Sequence, residues 1–246
     1  MFNSVLDTPL FKDIDIHDVE FVLSKFTERR YPKDHILFLQ GSPGMEMFLI
    51  ASGALRIYTE SDDKELILGH QFPGESIGEL EVLHHNNLRL ASVATLEPSV
   101  LWMIRKPDLE TLIDLYPQIL RKLFYVVSER LDQADRKLEY LAFLSSKIRV
   151  ANLLLDLHSN FGVEVSEGYL INWKTTHQHM AYMIGVSRES VTIGLQELQV
   201  AQIISIRNKY ITITNLSALK LLANDEETST NDREWHSSLS YKYNTI

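Results

Sequence analysis

The spacing of hydrophobic positions changes along the chain and divides it into regions. Residues 34–104 carry short apolar runs, among them Phe48-Leu49-Ile50, Leu55-Arg56-Ile57-Tyr58 and Leu66-Ile67-Leu68. Gly41, Gly44, Gly53, Gly69, Gly74 and Gly78 punctuate them. Short strands with regular glycine turns predict a barrel or roll. Residues 15–26 predict a short helix, with Val19, Val22, Leu23 and Phe26 on its apolar side.

From Tyr116 to Ser145 the period becomes helical. Pro117 stands where a first helical turn accepts it, and no glycine interrupts the run. Leu120, Phe124, Val127, Leu131, Ala134, Leu138 and Leu141 alternate by four and three, which is a heptad seam. So narrow a stripe predicts a dimer contact. A single amphipathic helix packed on its own domain is the alternative. Arg121, Lys122, Glu129, Arg130, Asp132 and Asp135 lie off the stripe. A further helix is predicted over 146–159, then a β-turn segment marked by Gly162 and Gly168. Apolar runs at 203–206 and 210–213 flank Arg207-Asn208-Lys209 and predict a hairpin with a basic tip. Residues 224–246 are polar and turn-rich, which predicts a partly mobile tail.

Residues 175–199 predict a helix-turn-helix. Thr175 or Thr176 can cap the first helix, Ala181 allows close packing, and Gly185 suits a left-handed turn. Ser187 can cap the second helix, with Glu189 and Ser190 in its first turn. Val191, Leu195 and Leu198 form its buried stripe, leaving Arg188, Glu189 and Thr192 on the other side. An arginine can donate twice to guanine, and a glutamate can accept from the cytosine amine. Hydroxyls near a helix start can hold phosphate. An ordinary helical hairpin with a surface Arg-Glu pair is the bland alternative. The buried spacing, the turn glycine and the basic hairpin together weaken it.

Composition narrows the classes. The chain has 246 residues, 45% hydrophobic and 23% charged, which suits one large or two ordinary globular domains. It has no run of eighteen apolar residues, so no membrane span is expected. Residues 1–12 lack a secretory pattern, so a cytoplasmic location is expected. Cysteine is absent, which excludes disulfides, thiol catalysis and cysteine-held iron–sulfur clusters. The net charge of −9 argues at first against nucleic acid. Its distribution matters more: residues 145–220 hold 7 basic and 5 acidic side chains, against 15 and 23 over 1–144.

His84-His85 reads as a loop surface rather than a metal site. His177 and His179, two apart, share no helical face. With no zinc signature, serine–histidine–acid order or glycine-rich phosphate loop, no metal, no cofactor and no enzyme activity is expected.

The segment Ile184-Gly185-Val186-Ser187-Arg188-Glu189-Ser190-Val191 closely resembles the recognition region of the cyclic-AMP receptor protein and fumarate–nitrate regulator superfamily. Leu141-Ala142-Phe143-Leu144 resembles its junction between dimer helix and DNA-binding domain. Ser76-Ile77-Gly78-Glu79-Leu80 resembles its phosphate-binding cassette, with Arg89 ten residues beyond Glu79. Gly41, Gly53 and Gly74 fall where the family's roll turns. Each motif is weak alone, and the combination is specific.

The resemblance implies an α+β chain: a β-roll sensor like a cyclic-nucleotide-binding jelly roll (1–115), a dimerisation helix (116–145), a winged helix-turn-helix (146–222) and a tail (223–246). It implies a cytoplasmic homodimer whose recognition helices enter successive major grooves, about 34 Å apart, on an inverted repeat. Double-stranded DNA and RNA polymerase are the implied partners. Carried over singly, Arg188 and Glu189 would read bases, while Thr176, Gln178, Ser187 and Ser190 would hold the backbone or help read, beside Thr192. Gly78, Glu79, Leu80, Arg89 and Leu90 would line an effector site.

The chain departs from the pattern in both parts. Where many members have a second reading arginine it has Ile193, which could meet a thymine methyl or simply pack. Gln196 is a substitute that helix geometry disfavours. Leu90 replaces the serine that follows the arginine in cyclic-AMP binders, and Ala134 and Asp135 replace hydroxyls that meet adenine. Unpaired polar groups are costly, so cyclic AMP is not the expected effector. A structural ion pair of Arg89 with Glu79 or another carboxylate is the alternative to ligand binding. A regulator without any small effector, and a ligand-binding module without DNA binding, are the other functional readings.

Overall fold

A computed structural model describes residues 2–62, 64–224 and 233–235. It divides into two compact units, with the boundary between Asp132 and Gln133.

The first unit opens with α1 (Val19–Ser24), capped by the Asp18 carboxylate on the Phe21 N–H. The strands β1 (Thr27–Tyr31), β2 (Ile36–Phe38), β3 (Glu46–Ser52), β4 (Leu55–Ser61), β5 (Lys64–Gln71) and β6 (Ser76–Ile77) lead to a short helix α2 (Glu79–Leu83). Then come β7 (Ser92–Thr95), β8 (Ser99–Arg105), α3 (Lys106–Leu115) and α4 (Gln118–Phe143). Two antiparallel sheets, ordered β1-β8-β3-β6 and β2-β7-β4-β5, make the expected roll. Their inward residues alternate with the pleat. Met47, Leu49 and Ile104 pack with Leu109 and Leu112 of α3 and with Ile119 and Leu123 of α4. A second cluster joins Phe48, Ile50, Leu55, Ile77, Val93 and Leu101.

The predicted helix over 116–145 is α4. Its buried residues in this unit are Ile119 and Leu123, not the heptad seam. Of the seam, Leu120, Phe124, Leu131, Ala134 and Leu138 are exposed, and Val127 and Leu141 are half-buried. Helix α3 carries no sequence expectation. It is only ten residues long and begins with Pro107 in its first turn, so its pattern is too short to stand out.

The second unit contains the end of α4, then α5 (Ser146–Phe161), β9 (Gly162–Val165), β10 (Gly168–Ile171), α6 (His177–Ile184) and α7 (Arg188–Val200). β11 (Ile204–Arg207), β12 (Tyr210–Ile213) and α8 (Leu216–Leu222) complete it. The wing is an antiparallel sheet ordered β11-β12-β10-β9. Its basic hairpin turns at Asn208 and Lys209, both with positive φ, the pair of angles that matches strand twist. Arg149 ties helix ends together, donating to Leu141 O at 3.0 Å, Leu144 O at 2.9 Å and Ile184 O at 3.3 Å.

Most of the tail, including residues expected to be mobile, lies outside the described residues. Residues 233–235 are docked. Arg233 is buried, donating to Asp156 Oδ1 at 2.7 Å and Asn152 Oδ1 at 2.8 Å. Asn160 donates to Arg233 O and accepts from the Trp235 N–H, each at 2.9 Å. The Trp235 ring meets those of Phe161 at 5.6 Å and Trp173 at 5.8 Å. No sequence signal marked this anchor. No helix among the described residues is long and apolar enough to cross a membrane.

Candidate nucleic-acid interface and buried β-roll site

The helix-turn-helix forms from local signals. Thr176 caps α6 by accepting from the His179 N–H at 3.0 Å. Gly185 ends the helix with φ 62° and ψ 44°, a left-handed conformation that a side chain disfavours. Ser187 caps α7 by accepting from the Ser190 N–H at 3.1 Å, and the two hydroxyls lie 3.1 Å apart. Val191, Leu195 and Leu198 are buried as predicted, and Met180, Ala181, Met183 and Ile184 bury the facing side of α6.

Two contacts fix how α7 is rotated. A Cβ at Gly194 would lie 3.2 Å from Val150 of α5, so the two helices approach closely there. Thr192 Oγ1 donates to Arg188 O at 3.0 Å and meets His177 Nδ1 of α6 at 2.8 Å. Thr192 is therefore half-buried and partnered within the unit, where helix position alone had placed it facing outward. Thr176, Gln178, Ser187, Arg188 and Glu189 are exposed; Ser190 is half-buried. A hydrogen bond from its own backbone N–H, then one from the Ser187 hydroxyl, hold the Glu189 carboxyl below the usual carboxylate range. At neutral pH it is an acceptor only, which suits a cytosine amine.

In the roll, Gly78 caps α2 with φ 85°. Arg89 is buried and lies 3.4 Å from Glu81 Oε2 and 3.5 Å from Glu46 Oε2, and donates to Glu46 O at 2.9 Å. Its guanidinium stacks 3.9 Å from the Phe38 ring centre. The other Glu81 oxygen accepts the Leu90 N–H at 3.0 Å. Of the carboxylates open to it, Arg89 thus pairs with Glu81 and Glu46 rather than with Glu79. Burial pulls Arg89 below the usual arginine range, and Glu81 and Glu46 oppose it. A guanidinium stays charged at neutral pH regardless. Space is tight: a Cβ on Gly44 or Gly78 would lie 2.5 Å from Arg89 atoms.

Glu79 is fully buried and paired with Arg130 of α4, which also donates to Gln71 Oε1 at 3.1 Å and to Ser76 O. Glu79 Oε2, Ser76 Oγ and Arg89 Nε have no hydrogen-bond partner among the described residues. Leu80 is half-buried and the Leu90 side chain exposed. Sequence reasoning missed Glu81, Glu46 and Arg130. Arg130 was visible only as a charge off the seam. The rings of His84 and His85 are exposed, with centroids 4.2 Å apart.

Two family models match the chain. A cyclic nucleotide-binding domain covers residues 28–116, and a Crp-like helix-turn-helix domain covers 148–222. The cyclic AMP receptor protein of Thermus thermophilus is 32% identical over 192 residues, 78% of this chain and 85% of that protein. The chain belongs to the cyclic-AMP receptor protein and fumarate–nitrate regulator superfamily. It is a transcription regulator with a DNA-binding helix-turn-helix, so a ligand module lacking a DNA reader is set aside.

The CRP-like protein Clp of Xanthomonas campestris is 29% identical over 206 residues, 81% of this chain and 89% of that protein. A solved structure of the Xanthomonas campestris regulator CLP, described as c-di-GMP responsive, superposes with TM-score 0.72 at 28% identity. It covers 79% of this chain and 97% of that one. A CooA mutant from Carboxydothermus hydrogenoformans shares the fold, with TM-score 0.76 at 21% identity over 88% of this chain and 96% of that one.

Proposed function

We propose that this family member acts in the cytoplasm as a homodimer that reads inverted-repeat DNA through Arg188 and Glu189, under control of something other than cyclic AMP. The observation that carries the reading is the start of α7: Arg188 and Glu189 are both exposed in the first turn of a helix that buries Val191, Leu195 and Leu198. N-terminal residues of a recognition helix are the ones that reach base edges. The homodimer rests on the exposed apolar stripe of α4, since apolar patches of that kind mark interaction surfaces. Double-stranded DNA, a second copy of the chain and RNA polymerase are the partners this implies. Arg188→Ala is expected to relax preference at one base pair of each half-site by about 1–3 kcal/mol while leaving the melting temperature unchanged. Competition binding against single-base variants measures it; unchanged discrimination would remove Arg188 from the reading role.

The case against cyclic AMP rests on Glu81. A cyclic phosphate beside Arg89 would sit against a buried carboxylate of the same charge, and Leu90 offers no hydroxyl to it. The unpartnered Glu79 Oε2 and Ser76 Oγ suit a ligand with hydrogen-bond donors, but Arg89 is already paired from within the chain by Glu81 and Glu46. Titration calorimetry with cyclic AMP should give no saturable heat, and saturable micromolar binding would contradict the proposal. A regulator with no small effector is the second reading, favoured by the same internal neutralisation of Arg89. A specific melting shift with any metabolite would count against it.

A further inference from the structure

On α7 the buried positions are Val191, Gly194, Leu195 and Leu198. With 3.6 residues per turn, Glu189, Ile193, Gln196 and Val200 all project within about 30° of the direction opposite their mean. Ile193 is 56% exposed. A lone exposed isoleucine is ordinary on a protein surface and would carry nothing by itself. Here its neighbours restrict what it can do. Gly194 against Val150 and Thr192 against His177 hold the helix from both sides, so Ile193 has no inward alternative. It stands one turn from Glu189, in the half of the helix that enters a groove, with Gln196 and Glu197 exposed one turn further on, the latter paired with Lys147.

An aliphatic side chain in a major groove has one favourable base-edge target. Guanine, adenine and the cytosine amine present polar groups that isoleucine would strip of water without replacing their bonds. Thymine presents a C5 methyl group. We infer that Ile193 is a specificity-determining residue that selects thymine at one position of each half-site. The inference rests on α7 being the DNA-reading helix and names what its unusual member reads.

Deoxyuridine tests this directly, because it pairs as thymidine does and lacks only the methyl. The probe is the duplex that full-length protein selects from a random pool, with each thymidine replaced in turn by deoxyuridine. At one symmetric position the replacement should weaken wild-type binding about 4-fold per half-site and about 15-fold when both are changed. Ile193→Ala should bind the thymidine duplex about as weakly and be indifferent to the replacement. Val200→Ala, at the far end of α7 and 86% exposed, should behave as wild type. Indifference of the wild type to every replacement, or retained discrimination in Ile193→Ala, would overturn the inference. A wild-type protein that selects no sequence at all would instead overturn the DNA-reading assignment beneath it.

Discussion

Glu81→Ala is expected to destabilise the β-roll by about 3 kcal/mol, near the low end of what losing one partner of a buried ion pair costs. Both side chains are nearly inaccessible, 6% for Glu81 and 2% for Arg89, so water cannot replace the lost carboxylate. Glu81 also accepts the Leu90 N–H, which would be left without that partner. Glu46 lies within 3.5 Å of the same guanidinium but is 40% exposed, so it offsets part of the loss and keeps the cost from the top of the range. The unfolding midpoint should fall by about 10–15 °C. Removing both charges with Glu81→Leu and Arg89→Met should recover much of it, because the desolvation cost disappears with the pair. Thermal unfolding of the full chain measures all three proteins. A drop below about 1 kcal/mol for Glu81→Ala would mean that Arg89 is not held by Glu81.

Leu131→Asp is expected to dissociate the proposed homodimer. Leu131 is 61% exposed in the single chain, and Phe124 and Leu138 beside it on the seam are 66% and 65% exposed. A seam buries each leucine against its counterpart, at about 2 kcal/mol per side chain. Losing two raises the dissociation constant by about 1,000-fold, and facing aspartates add repulsion. The fold of each chain should survive, since Ile119, Leu123 and the roll core do not involve this position. Sedimentation velocity should report a monomer with unchanged circular dichroism, and an unchanged dimer mass would exclude the seam. Binding to a full inverted repeat should fall to the level of a half-site.

What could be read from the chain follows the range of the forces involved. Thr176, Gly185 and Ser187 act on neighbours within five residues, so the helix-turn-helix was legible down to its caps. The hairpin tip at Asn208-Lys209 and the roll strands were legible for the same reason. Each buried ion pair joins side chains that meet only after folding. Arg130 is 51 residues from Glu79, and Arg233 is 77 from Asp156. No periodicity encodes which carboxylate a given arginine will find, so the partner of Arg89 stayed open between Glu79 and another carboxylate until folding put Glu81 beside it. Thr192 was expected outward by helix angle, and its bond to His177 depends on how closely α6 and α7 cross.

On the proposed function, two copies of this chain read one symmetric DNA site through α7. Selection of bound duplexes from a random pool by the full-length protein tests it most directly. The expected result is enrichment of an inverted repeat with half-site centres about one helical turn apart, and loss of enrichment at one position per half-site with Arg188→Ala. Enrichment of a single asymmetric site, or of none, would contradict it.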